Sequence, residues 1–202
     1  LGTAFRLRHR FLKAVVGHQP TAVTGLVEAD ETYFRESQKG SRKMTRPPRS
    51  RGGKAADAGA GKDLVPVLIA KVRGSQAVAD KTLTAMTADQ AEEMLRPLVG
   101  PDTLLCIDGS GALRKATAKL GVTTKSIAVS YNGRVSEGVY HVQTVNNYHE
   151  RLKTWTNRQL RGVATKYLDH YLAWMRMWEW FKDGVKSEHF IVSGLGQQVI
   201  NR

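Results

Sequence analysis

Cysteine is nearly absent from this 202-residue chain, with Cys106 standing alone. One thiol permits no intrachain disulfide and no cysteine-based zinc cluster. Its neighbours Leu104, Leu105 and Ile107 make it a core residue rather than a nucleophile. Long apolar runs are also missing. None approaches the roughly 20 residues of a membrane span, and the N-terminus has no signal-peptide core. The expectation is therefore a soluble, cytoplasmic protein with no membrane partner. Negative charge is scarce: 18 Asp and Glu face 31 Lys and Arg, for a net charge of +13. Such an excess says nothing about fold but favours a polyanionic partner. No phosphate-binding or dinucleotide-binding glycine pattern is present, and no internal repeat. Hydrophobic residues make up 41% of the chain, enough for one sizeable core in a single large domain with appendages. The chain opens at Leu1 rather than Met, which reads as the remainder of a longer polypeptide.

Periodicity divides the chain into elements. In residues 3–15, Ala4, Leu7, Phe11 and Val15 fall on one helical stripe, with Arg6, Arg10 and Lys13 largely off it. This fits either a DNA-reading helix without its partners or an ordinary amphipathic helix. Residues 25–35 read as a strand. Residues 35–62 then carry Arg35, Lys39, Arg42, Lys43, Arg46, Arg49, Arg51, Lys54 and Lys62 with almost no large apolar side chain. They read as a mobile basic loop, closing over a phosphate backbone or serving as a solvated linker. Strands are expected at 63–72, 76–84, 103–108 and 124–130. Pro66 argues against a central place for its end of the second strand. Helices are expected at 85–99, capped by Thr87 and stopped by Gly100-Pro101, and at 109–120. Two more follow, separated near Arg161-Gly162. The last, about 165–181, carries Tyr167, Tyr171, Trp174 and Trp178 on a stripe that reads as core. Three strands, a helix, a strand, a helix, a strand and then helices fit a mixed five-stranded sheet flanked by helices, an α/β fold of ribonuclease-H-like arrangement. There the first and fourth strands are neighbours, so Asp30 and Asp108 would converge.

Three segments offer chemistry. Residues two apart on a strand share a face, so Glu28, Asp30 and Thr32 point one way, and Ala29, Glu31 and Tyr33 the other. Two acidic groups inside an apolar segment need compensation by a metal or a cation if buried; a solvent-facing edge explains the same pattern. Asp108 ends an apolar strand and precedes Gly109-Ser110-Gly111, a place where ligands bind at sheet clefts. An Asx-turn or helix cap would also put Asp there. A haloacid-dehalogenase-type phosphatase would want a second Asp at the position of Ser110. Asn146, His149, Glu150 and Lys153 share a helical face, able to complete a metal site and to meet a phosphate, or simply to be solvated.

Taken together, Val27-Glu28-Ala29-Asp30-Glu31-Thr32-Tyr33-Phe34, Arg51-Gly52-Gly53-Lys54, Ile107-Asp108-Gly109, Val145-Asn146-Asn147-Tyr148-His149-Glu150-Arg151-Leu152-Lys153, and Gly162-Val163-Ala164-Thr165-Lys166-Tyr167-Leu168-Asp169 with Tyr171-Leu172 resemble the catalytic domain of bacterial insertion-sequence DDE transposases. The match is to the ISXO-type group with an Asp-Asp-Asn-Lys signature, and it covers about residues 22–181. The resemblance implies a ribonuclease-H-like fold and Mg²⁺- or Mn²⁺-dependent cleavage and strand transfer of DNA at the ends of an insertion sequence. It implies a homo-oligomer assembled on DNA. Asp30 and Asp108 would be metal ligands and Asn146 would hold the third-ligand position, with Lys153 one helical face further on. Because Asn146 contributes an oxygen but no charge, Glu28 or Glu150 would compensate. Arg42, Lys43, Arg46, Arg49, Arg51 and Lys54 would contact DNA. By this reading residues 1–20 are the remnant of a helix-turn-helix, residues 21–185 the catalytic domain and residues 186–202 a C-terminal tail. The family's upstream zinc ribbon has no counterpart here. The alternative is a truncated, inactive remnant that only binds DNA; a third reading, from charge alone, is an RNA-binding protein.

Overall fold

The computed structural model describes residues 2–49, 63–127, 139–181 and 183–197. Helix α1 (Gly2–Val16) precedes strands β1 (Val23–Arg35), β2 (Leu64–Val72) and β3 (Val78–Thr82). Helix α2 (Ala88–Leu95), strand β4 (Val99–Ile107), helix α3 (Gly111–Leu120) and strand β5 (Thr123–Ser126) follow. Helix α4 (Gln143–Thr154) runs into a π-helical turn at Trp155–Gln159, and helices α5 (Leu168–Trp180) and α6 (Ser187–Gly194) complete the described chain. The sheet order is β3-β2-β1-β4-β5. The first three strands are antiparallel, while β4 and β5 run parallel to β1 and to each other. This is the mixed, ribonuclease-H-like sheet that the element order predicts.

Strand alternation sorts the core into two layers. Val67 and Ile69 of β2 face α4 and α5, in a cluster with Cys106, Val145, Tyr148, Leu152 and Leu172. Leu68 and Ala70 face the opposite way, with Val27, Ala29, Leu105, Ile107, Leu95 and Leu113. Cys106 is fully buried, as its apolar neighbours require. Pro66 lies just beyond the stretch of β2 that pairs with β3, so its missing N–H interrupts no ladder on that side.

Four expectations need correction. The helix predicted over 85–99 is capped at Thr87, whose side chain accepts from Gln90 N, but it closes at Leu95. Pro97 cannot donate the next helical hydrogen bond, and residues from Val99 join β4 instead. In α1 the buried residues are His9, Leu12 and Val15, while Leu7 and Phe11 of the predicted stripe are exposed. His9 stacks on Tyr167 at 4.2 Å, and Arg176 donates to the carbonyls of Val15 and Val16, so α5 selects the face. The aromatic stripe of α5 is only partly core, since Trp178 is 40% exposed while resting on Trp155 at 4.6 Å. Finally, the described part of the basic loop is anchored. Ser37 N donates to Thr165 Oγ1 at 2.8 Å, and Lys39 Nζ donates to the carbonyls of Leu160, Arg161 and Gly162. The predicted fifth strand is seen at Thr123–Ser126, and its expected continuation past 127 lies outside the described residues.

Candidate functional site

Register brings the two aspartates together. Along the parallel β1–β4 pair, Val27 opposes Leu105 and Ala29 opposes Ile107. One residue further on, Asp30 stands beside Asp108, just where β4 ends. Leu104 and Cys106 of β4 belong to the α4 side of the sheet, so alternation also turns Asp108 to that side, the face of Asp30. Gly109 follows with φ +93°, a backbone conformation that side chains resist. The turn it makes lets Ser110 N donate to Asp108 Oδ1 at 2.9 Å. The Asx-turn weighed against a ligand role is thus real, and it uses one carboxylate oxygen only.

Asp30 is 8% exposed, with Oδ1 accepting from Glu31 N at 2.9 Å. Burial first, then Asp108, then Glu31 push its pKa up to about 8. Its Oδ2 lies 3.7 Å from Nδ1 of His149 on α4. Burial and then Lys153 hold that imidazole down to about 4, so it is neutral at pH 7. Glu31, assigned by alternation to the opposite face, joins the aspartates: ligand atoms of Asp30, Glu31 and Asp108 all lie within 4.8 Å of one another. Beside Glu31 the neighbouring strand has already ended, leaving its side chain room to reach the sheet's end. The residues are therefore an oxygen-only, carboxylate-rich set without a thiol, which suits Mg²⁺ or Mn²⁺. The unfavourable ionisation of Asp30 is the penalty that a bound cation would remove.

Glu28 shares Asp30's face as predicted, but its carboxylate is occupied elsewhere. It is fully buried and accepts from Thr144 N at 2.7 Å, Val145 N at 3.1 Å, Thr144 Oγ1 at 2.8 Å and Arg73 Nε at 2.8 Å. Val142, at the cap position of α4, provides no side-chain acceptor, so Glu28 caps the helix from across the layer. This replaces the metal role expected for it. Glu150, the other expected compensator, is exposed and accepts from Thr154 Oγ1 within its own helix. Asn146 is exposed on α4, one turn before His149. Arg73 and His141, which complete the Glu28 cluster, carried no sequence signal because they are brought there by other elements.

Lys153 lines a cleft of about 870 Å³ together with Tyr33, Arg35, Lys39, Arg46, Arg49 and Arg161. Of the residues expected on DNA, Arg42 and Lys43 are exposed. Arg46 instead pairs with Glu36 at 2.8 Å, and Arg49 with Asp63 at 2.9 Å. Arg51 and Lys54 lie outside the described residues. The described residues contain no helix long and apolar enough to cross a membrane.

Comparison with known proteins adds a family. No curated protein matches the sequence. Among solved structures, a chain of the simian T-cell lymphotropic virus intasome in complex with PP2A regulatory subunit B56 gamma is 12% identical, covering 92% of this chain and 58% of that one, with a TM-score of 0.46. The catalytic core domain of BIV integrase is 14% identical, covering 82% and 89% respectively, with a TM-score of 0.40. Mos1 transposase in its paired-end complex with the left transposon end is 12% identical, covering 98% and 64%, with a TM-score of 0.33. The chain thus spans 58% of the length of the first of these and 64% of the last. Residues 22–178 match the ISXO2-like transposase domain, and the chain belongs to that family.

Proposed function

We propose that this protein is a bacterial DNA transposase that cleaves and joins DNA at the ends of an insertion sequence, using an Asp-Asp-Asn-Lys site. The observation that carries the reading is the meeting of Asp30 and Asp108 at the end of the β1–β4 pair within a strongly basic member of a transposase family. Asp30 and Asp108 would hold divalent cations, Mg²⁺ or Mn²⁺, with the Asn146 amide oxygen offered from α4 as the third ligand. When bound, such a pair supplies the positive charge that activates an attacking water or hydroxyl and stabilises the crowded phosphorus. The chain's own residues bind and orient the substrate. Lys153 meets a phosphate near the site as a point charge. Basic residues of the 35–62 segment, Arg42 and Lys43 among them, neutralise the backbone on either side.

The DNA strand is first cut by water to leave a 3′-hydroxyl, which then displaces a 3′-oxygen in target DNA by in-line attack. Residues 21–185 are the catalytic unit, residues 1–20 the end of a preceding helix-turn-helix and residues 186–202 a C-terminal extension, and the protein acts in the cytoplasm as a homo-oligomer on paired ends. A nicking assay on element-end duplexes with Mg²⁺ or Mn²⁺ tests the reading. Cleavage is expected from the wild-type chain and not from Asp108→Asn. Metal-dependent nicking that survives Asp108→Asn overturns the mechanism, and DNA binding without nicking by the wild type would identify an inactive remnant.

A further inference from the structure

We propose that Glu31 is a third metal-ligating carboxylate, supplying the negative charge that Asn146 does not. The inference rests on the reading that the Asp30–Asp108 site holds divalent cations. Charge count is the first argument. Two aspartates bring −2 to a site meant for two divalent cations, and a carboxamide adds oxygen without charge. Affinity for hard cations follows the charge on the ligand set, so a site of this kind gains from one more carboxylate. The expected compensators do not provide it: Glu28 is consumed in capping α4, and Glu150 is exposed, turned to Thr154.

Glu31 is where a compensator is needed. Its ligand oxygen lies within 4.8 Å of those of both aspartates. Its Oε2 is buried with no hydrogen-bond partner. A buried carboxylate oxygen left without a donor is costly, and a cation held between it and the aspartates satisfies it. A second feature points the same way. The His149 ring is buried, its Nε2 has no partner, and its Nδ1 faces Asp30 Oδ2 at 3.7 Å, so a buried ring with an unpartnered nitrogen, rather than a Lys or Arg, borders Asp30. The geometry arises from topology. Because β4 stops at Ile107, the strand position beside Glu31 falls in the Gly109 turn, and a side chain nominally on the far face reaches the sheet's end.

The test is Mn²⁺ affinity, measured by calorimetry and by electron paramagnetic resonance of free Mn²⁺, on wild type, Glu31→Gln, Asn146→Ala and Asp108→Asn. Glu31→Gln is expected to bind at least about tenfold more weakly, Asn146→Ala to lose less, and Asp108→Asn to lose binding. Thermal melts without metal accompany each variant. Glu31→Gln is expected to be at least as stable as wild type when apo, since it relieves crowding of like charges, and to lose the stabilisation that Mn²⁺ confers. Wild-type affinity in Glu31→Gln alongside lost binding in Asp108→Asn overturns the inference and leaves the proposed function standing. Absence of Mn²⁺ binding by the folded wild type overturns both.

Discussion

Glu28 and Asp30 share one face of β1, and the difference between them is made by partners, not by residue type. Glu28 receives four hydrogen bonds from Thr144, Val145 and Arg73 and is a structural anion. Asp30 has one backbone donor and two carboxylate neighbours, which is why its ionisation is costly. At the same scale, His9 and His170 meet Nδ1 to Nδ1 at 2.8 Å, an arrangement that accommodates one shared proton and two neutral rings. Burial, then His170, then Arg8 lower the His9 pKa from 6.5 to about 4. Above pH 6.5 both folded and unfolded states hold this ring neutral. Between 6.5 and 4 only the unfolded state takes up the proton, so the stability contributed by His9 falls as pH drops through that window. Urea midpoints are therefore expected to decline from pH 6.5 to pH 4, and less steeply in His9→Phe. Equal slopes would remove His9 from the account. Lys153 makes a prediction of another kind. As a phosphate contact, Lys153→Ala should weaken binding to DNA of any sequence and reduce the slope of log affinity against log salt by about 1, as read by fluorescence anisotropy across a salt series.

Helix α4 carries Asn146, His149 and Lys153, so its docking decides the site. A strand-borne carboxylate holds its N-terminus, and its C-terminal end passes into a π-helical turn followed directly by Leu160, Arg161 and Gly162, whose carbonyls are bound by Lys39. Both ends are thus tied to residues of β1 or the segment just after it. Glu28→Ala leaves the Thr144 and Val145 amides, the Thr144 hydroxyl and Arg73 Nε without their acceptor. Removing one partner of a buried ion pair costs about 3 kcal/mol, and a comparable fall in unfolding free energy is expected by chemical denaturation. Mn²⁺ affinity of the folded protein should be retained in Glu28→Ala, in contrast to Asp108→Asn; parallel losses would return Glu28 to the metal site. Sequence periodicity found α4, the strands and the Thr87 cap because those signals are local. It missed the early end of α2, where Pro97 and pairing to β1 through Ala22 N and Val23 N prevail over helical propensity. It also missed the buried face of α1, which aromatic contacts with α5 choose.

For the whole molecule, the strong positive charge and the carboxylate cluster are complementary demands: one attracts a polyanion, the other repels it until cations arrive. Divalent metal should therefore stabilise the native state by mass action, by about 2.7 kcal/mol at a hundredfold excess over the dissociation constant. The melting temperature of the wild type is expected to rise with Mn²⁺, and that of Asp108→Asn to stay unchanged. Composition, strand alternation and motif order were sufficient to indicate a basic α/β protein with a mixed sheet and with Asp30 and Asp108 as a converging pair, because alternation is read directly along the chain and the element order matches the ribonuclease-H-like arrangement, in which the first and fourth strands are neighbours. The fates of Glu28, Glu31 and His149 were decided only in three dimensions. Whether a carboxylate caps a helix, joins a cation site or lies in solvent depends on which distant donors surround it, and those come from where β4 happens to stop and how α4 lies on the sheet. Alternation assigns a face only while both neighbouring strands continue, and at the end of β4 that condition lapses.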